Sequence, residues 1–162
     1  MIAKKVQAAF NEQIREEFGS AYIYLSMAAW FRNQNLHGME QWMKVQATEE
    51  VKHGMKFFDF INERGGRVEL AALPQPKAKW GSALEAFRDA CKHEQYITGR
   101  INLLLDLCRK EGDTAGDNFL QWFVDEQVEE EANPAKIVAT LERIGDSGAG
   151  LIMLDHELGK RE

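Results

Sequence analysis

Apolar side chains recur along the chain at alternating steps of four and three, the period of a helix that buries one face; a strand would need a period of two. The first stripe runs Phe10, Ile14, Glu17, Ala21, Tyr24, Ala28, Phe31, and the second Met39, Met43, Gln46, Glu50, His53, Phe57, Phe60, with the turn NQNLHG at 33–38 between them. A third carries Leu84, Phe87, Cys91, Glu94, Thr98, Ile101, Leu105, Cys108. A fourth, after EGDTAGD at 111–117, carries Leu120, Phe123, Gln127, Glu130, Pro134, Ile137, Leu141, Ile144. The pattern predicts helices over about 5–33, 38–64, 82–111, 115–144 and 147–159 within a single domain, 1–162. Pro134 is expected to kink the fourth, because it removes a backbone donor and clashes one turn back.

Between the second and third stripes, GGRVELAALPQPKAKWG (65–81) holds two prolines and three glycines and reads as a connection without regular helix. Extended, it spans about 50 Å against roughly 40 Å for the preceding helix, so it can return the chain along the whole bundle. The last segment, LIMLDHEL (151–158), is a short helix too apolar for water and is expected to pack against another subunit. The fold class is therefore all-α, a four-helix bundle with a long crossover between helices two and three and a short fifth helix.

Each stripe carries ionisable or amide residues where an ordinary bundle has Leu or Ala, and a carboxylate buried without a partner costs several kcal/mol. Counted from the first turn, Glu17 lies about as far before it as Glu50 and His53 lie after, so antiparallel pairing brings them to one height. Glu94 stands in the same relation to Gln127 and Glu130. Glu17 and Glu50 are 33 residues apart, as are Glu94 and Gln127. The two halves therefore match at an offset of 77, which also superposes Phe10 on Phe87 and Glu49 on Glu126, as in two related hairpins.

Four inward glutamates at one level repel each other and raise their own pKa values unless divalent cations supply positive charge, and two such ions balance four carboxylates. The rival arrangement, a metal-free hydrogen-bonded layer that only fixes register, has too few donors for so many carboxylate oxygens. Oxygen ligands with a single imidazole suit iron or manganese better than structural zinc. Glu49, Glu126 and Glu129 read equally as a solvated acidic run, and Glu111, Asp113 and Asp117 as a solvated loop or a cation-attracting channel mouth.

The chain has 162 residues, 44% apolar and 28% charged, with a net charge of −6. That balance excludes a disordered or membrane-spanning chain and argues against nucleic acid as a partner. Cys91 and Cys108 form no CxxC pair and read as small core residues. With no export signal read at the start, a reducing cytoplasmic location is expected.

The chain resembles bacterial non-haem ferritin over essentially all of its length. The likeness rests on Glu17 followed by Tyr24, EEVKH at 49–53, His93-Glu94, WFVDEQVEEE at 122–131 and the apolar C-terminal helix. Di-iron bundles of this kind place a Glu on each of two helices and Glu-x-x-His on the others. The resemblance implies a ferroxidase centre with Glu17, Glu50 and His53 around one iron and Glu50, Glu94 and Glu130 around the second, with Gln127 alongside. It implies a third iron position formed by Glu49, Glu126 and Glu129 with help from Glu130.

The second motif, Gln127-Val128-Glu129-Glu130, departs from the symmetric two-histidine pattern and separates the chain from bacterioferritin. Lys52 stands where that family has its haem-ligating methionine, so no haem is expected. Tyr24, seven residues after Glu17 on the same stripe, reads either as an electron donor near the metals or as a core tyrosine bonded to a carboxylate. Trp122 and His93 lie off the stripes, and for them packing is explanation enough.

The function implied is iron storage. Fe(II) is oxidised by O2, with H2O2 as an alternative oxidant, and held as a ferric oxyhydroxide mineral inside a twenty-four-subunit shell of cubic symmetry with the fifth helices gathered at its four-fold axes. The alternatives are a non-storing di-metal enzyme that reduces peroxide or O2, and a helical interaction module with an empty polar layer. A rubrerythrin-like member of the first class would need paired CxxC motifs, and a substrate oxygenase a sizeable apolar pocket beside the metals.

Overall fold

A computed structural model describes residues 1–162. Five helices follow one another: α1 (Lys4–Asn33), α2 (His37–Glu63), α3 (Ala83–Lys110), α4 (Thr114–Ile144) and α5 (Gly148–Leu158). Their ends are set by local chemistry. Ser82 accepts from the Glu85 N–H at the start of α3, Asp113 from the Gly116 N–H at the start of α4, and Ser147 from the Gly150 N–H at the start of α5. Gly65 and Gly145, at φ 68° and 54°, take the left-handed backbone that stops α2 and α4. α4 continues through Pro134 as unbroken helix, with Pro134 buried inside it.

The crossover contains no helix and runs along α1, which holds it by side chains in sequence order. Gln7 and Asn11 bond the backbone at Arg67 and Glu69, Arg15 that of Ala72, and Ser26 that of Lys77. The chain thus returns to the far end before α3 begins, where Trp30 meets Trp80 and Phe31 meets Phe87. At the other end Lys5 bonds Glu111. α3 therefore runs antiparallel to α1, and α4 parallel to it.

Two apolar clusters fill the bundle. One, around Phe10, Ile14, Phe57, Ile61, Ile97, Ile101, Leu120 and Phe123, lies toward the start of α1. The other, around Tyr24, Phe31, Met39, Met43, Phe87, Ala90, Ile137 and Leu141, lies toward its end. On each of the four long helices the gap between them holds the ionisable or amide residues: Glu17, then Glu50 and His53, then Glu94, then Gln127 and Glu130, all buried.

The buried face of α3 differs from the expected stripe. Ala83, Ala86, Ala90, Ile97 and Leu104 are in the core, while Leu84, Thr98 and Leu105 are only half-buried. Cys91, expected as a core residue, is half-buried for the same reason, whereas Cys108 is fully buried; both are free thiols. α5 packs partly on its own chain and none of its residues is buried. Leu151, Leu154 and Leu158 are half-buried against the chain's own core, while the large apolar side chains Ile152 (68% exposed) and Met153 (73%) face outward. No helix is long and apolar enough to cross a membrane.

Candidate metal centre

Between the two apolar clusters, ligand-capable atoms from four helices converge. Glu17, Glu50 and His53 form one triad, Glu50, Glu94 and Glu130 a second, and His53, Glu126 and Glu130 a third, the atoms in each within 4.8 Å of one another. Glu50 belongs to the first two, so one carboxylate lies between two potential cation positions. Oxygen and imidazole donors at this density suit Fe(II). Gln127 adjoins through its amide, which donates to the Glu94 carbonyl at 3.3 Å and to Thr98 Oγ1 at 3.2 Å.

Without a cation this layer is electrostatically unfavourable. Removal from water pushes the carboxyl groups of Glu17, Glu50 and Glu94 up to about 8 and that of Glu130 to about 7. Repulsion adds to this, from Glu50 on Glu17 and Glu94, from Glu130 on Glu50, and from Glu94 on Glu130. Two buried oxygens, Glu17 Oε2 and Gln46 Oε1, have no hydrogen-bond donor at all. Unpaired buried oxygens beside carboxyl groups that resist ionisation are what a divalent cation would satisfy.

The stripes, although the second includes Gln46, do not give the contacts that Gln46, Gln13 and His93 make around the layer. Gln46 Nε2 donates to Glu50 Oε1 at 3.0 Å and to Glu130 Oε2 at 2.5 Å, and Gln13 Nε2 to Glu17 Oε1 at 2.8 Å. The available signal is an amide four residues before a ligand glutamate, one helical turn away on the same face. The second hairpin has Ala90 and Phe123 at the matching positions, so the internal repeat gives no support there. His93, which has no partner motif in sequence, lies 2.7 Å from Ser20 Oγ and packs edge-on against Tyr24. Burial lowers its pKa to about 4, so it is neutral near pH 7.

Tyr24 is fully buried and its phenol donates to Glu94 Oε1; burial and the nearby carboxylates raise its pKa well above the ordinary tyrosine value. The three outer glutamates are placed differently. Glu126 Oε1 lies 3.8 Å from His53 Nε2, Glu49 faces Arg161 at 2.5 Å, and Glu129 is exposed and belongs to none of the triads. Trp122 is 38% exposed, with the Lys56 ammonium 4.1 Å above its ring. A surface cleft of about 320 Å³ between α3 and α4 touches Gln127 and is lined by Thr98, Asn102 and Glu131 as well as valine and isoleucine.

Comparison with known proteins points the same way. The family described as Ferritin-like domain matches residues 7–144. The bacterial non-heme ferritin of Bacteroides fragilis is 39% identical over 161 residues, covering 99% of this chain and all of the relative. That of Staphylococcus saprophyticus is 41% identical over 161 residues, covering 99% and 96%. Among solved structures, an open pore ferritin from the hyperthermophilic archaeon Archaeoglobus fulgidus matches with a TM-score of 0.99 at 48% identity over the full length of both chains. A form of it engineered to be closed also matches with a TM-score of 0.99, covering 100% of this chain and 99% of the other.

Proposed function

The chain belongs to the ferritin family, and we propose that residues 1–162 form one domain that oxidises Fe(II) at the shared-carboxylate layer and stores it as ferric oxyhydroxide in a shell of its own copies. Iron storage with ferroxidase activity is the function that family membership carries. The observation behind the finer assignment is the pair of triads meeting at Glu50, with unpaired buried oxygens on Glu17 and Gln46 beside them.

In this reading iron is substrate. Glu17, Glu50 and His53 receive one Fe(II), and Glu50, Glu94 and Glu130 the other. As each ion arrives, the glutamates surrender the protons that burial otherwise keeps on them, so binding exchanges protons for metal charge. Two Fe(II) give two electrons to O2, which takes up two protons and leaves as H2O2; each Fe(III) moves on and hydrolyses with two waters to FeO(OH), releasing three protons. Neutral Gln127 holds its ion less firmly than a carboxylate would, which favours departure after oxidation. We assign Tyr24, whose phenol donates to Glu94, the role of an additional one-electron donor to the oxidant, its proton passing to Glu94 as the phenoxyl radical forms.

Glu126, with Glu49 and Glu129, would form the outer third position. The shell of twenty-four subunits and a cytoplasmic location are part of the same proposal; the latter is supported by the two free thiols. The open pore ferritin among the matching structures makes an open arrangement of subunits the second reading of the shell. A di-metal enzyme without storage is not favoured, since whole-length relatives are ferritins.

The test is to add several hundred Fe(II) per shell to metal-free protein in air and assay iron across a size separation. Ferric iron is expected to coelute with a very large protein particle. Glu17→Ala and His53→Ala should assemble normally yet oxidise Fe(II) at least about tenfold more slowly. An unchanged rate would remove these residues from the centre.

A further inference from the structure

The C-terminal segment after α5 comes back onto α2 and ends against one of the outer glutamates. Arg161 Nη2 lies 2.5 Å from Glu49 Oε2, its guanidinium stacks 4.5 Å above the Trp42 ring, and Nη1 reaches the Trp42 carbonyl at 3.5 Å. The side chain is only 20% exposed. The segment is held from both sides. Gln41 Nε2 meets the Arg161 carbonyl at 3.5 Å, and in α5 the Asp155 carboxylate accepts from the Met39 N–H at 2.8 Å.

We propose that Arg161 is a built-in competitor for iron at the third position: its guanidinium occupies Glu49 and must be displaced before Glu49 can join Glu126 and Glu129 around an ion. The inference rests on the assignment of Glu49 to that position.

The geometry separates the three outer carboxylates. Glu126 already turns toward His53 of the inner layer, whereas Glu49 is turned to the tail by a charge-assisted hydrogen bond. A guanidinium does not deprotonate in the working pH range, so a rise in pH will not release it. A doubly charged ion can, because it offers the same carboxylate more charge and further ligands in Glu126 and Glu129. Arg161 is thus a positioning residue that lowers the affinity of the outer position and leaves the inner pair alone. By linkage, an ion bound there loosens the tail by the same free energy.

The experiment is an anaerobic Fe(II) titration of the assembled protein by calorimetry and equilibrium dialysis, for wild type, Arg161→Ala, Arg161→Lys, Glu49→Gln and the double variant R161A/E49Q. R161A is expected to bind the outer ion about tenfold more tightly, the size of one hydrogen bond to a charged group. It should leave the inner two events unchanged, and R161K should restore wild-type affinity in part. The gain should vanish in R161A/E49Q; an outer event absent from wild type but gained in R161A counts equally. If R161A assembles poorly, Arg161→Gln keeps the length and polarity and carries the same expectation.

Outer affinity equal in wild type and R161A, yet abolished by E49Q, would overturn the competitor role while leaving the third position intact. Unchanged binding in E49Q in both backgrounds would overturn the assignment of Glu49 itself, and the proposal with it.

Discussion

Glu50 shares its carboxylate between two triads, and its ionisation is opposed by burial and by Glu130 across the layer. Burial and a neighbouring carboxylate likewise oppose the ionisation of Glu17, Glu94 and Glu130, with a signed consequence for stability. A carboxyl group whose folded pKa lies above its ordinary 4.5 costs the fold nothing below that pH. The cost grows as pH rises toward the folded value, because the unfolded chain ionises first. Glu40, held down to about 2 by Lys44, His37 and Arg32, loses its contribution only in stronger acid, outside this window. The thermal midpoint of metal-free protein is therefore expected to fall from about pH 5 to about pH 8 and then level off. Glu17→Gln should make the slope shallower, and a bound divalent metal should flatten it. A metal-free midpoint that rises over this range would contradict the picture of four neutralised carboxyl groups.

At the scale of elements, α5 depends on a bare backbone contact. Gly38, near the start of α2, lies so close to the Asp155 carbonyl that a Cβ there would come within 1.6 Å of the oxygen. Only glycine permits this approach, which in turn brings Asp155 to the Met39 N–H and Arg161 to Glu49. Gly38→Ala is expected to cost roughly 1–3 kcal/mol of overpacking, most cheaply relieved by lifting α5 off the bundle. Light scattering should then show smaller or heterogeneous particles, and α5 should be cut faster by protease. An unaltered particle with a protected C-terminus would mean that α2 and α5 separate without consequence.

Across the whole molecule, two apolar clusters supply the stability, and the polar layer between them is maintained at a cost. Glu94 and Tyr24 are bonded to each other inside that layer, so replacing both with apolar groups leaves no broken pair between them. The double variant Tyr24→Phe/Glu94→Leu is expected to melt higher than wild type when metal-free, and to oxidise Fe(II) slowly because one triad has lost a ligand. A lower midpoint together with normal oxidation would place the layer's importance in packing and not in iron chemistry.

The fold class and the level of the layer were legible in the sequence because both follow from local periodicity and from equal distances to two turns. Glu17, Glu50, His53, Glu94, Gln127 and Glu130 could be placed at one height without any knowledge of packing. The path of the crossover was limited by its length alone, and α1 then fixed it with Gln7, Asn11, Arg15 and Ser26. What only the tertiary structure decided is how each helix is rotated about its axis and where the tail goes. Rotation of α3 put Ala90 in the core and left Cys91 half-exposed, and it brought His93 against Ser20 and Tyr24. The reach of Gln46 across to Glu130 and of Arg161 back to Glu49 joins residues 84 and 112 positions apart, beyond any helical period. Periodicity fixes which residues share a face; close packing of those faces selects the partners they meet.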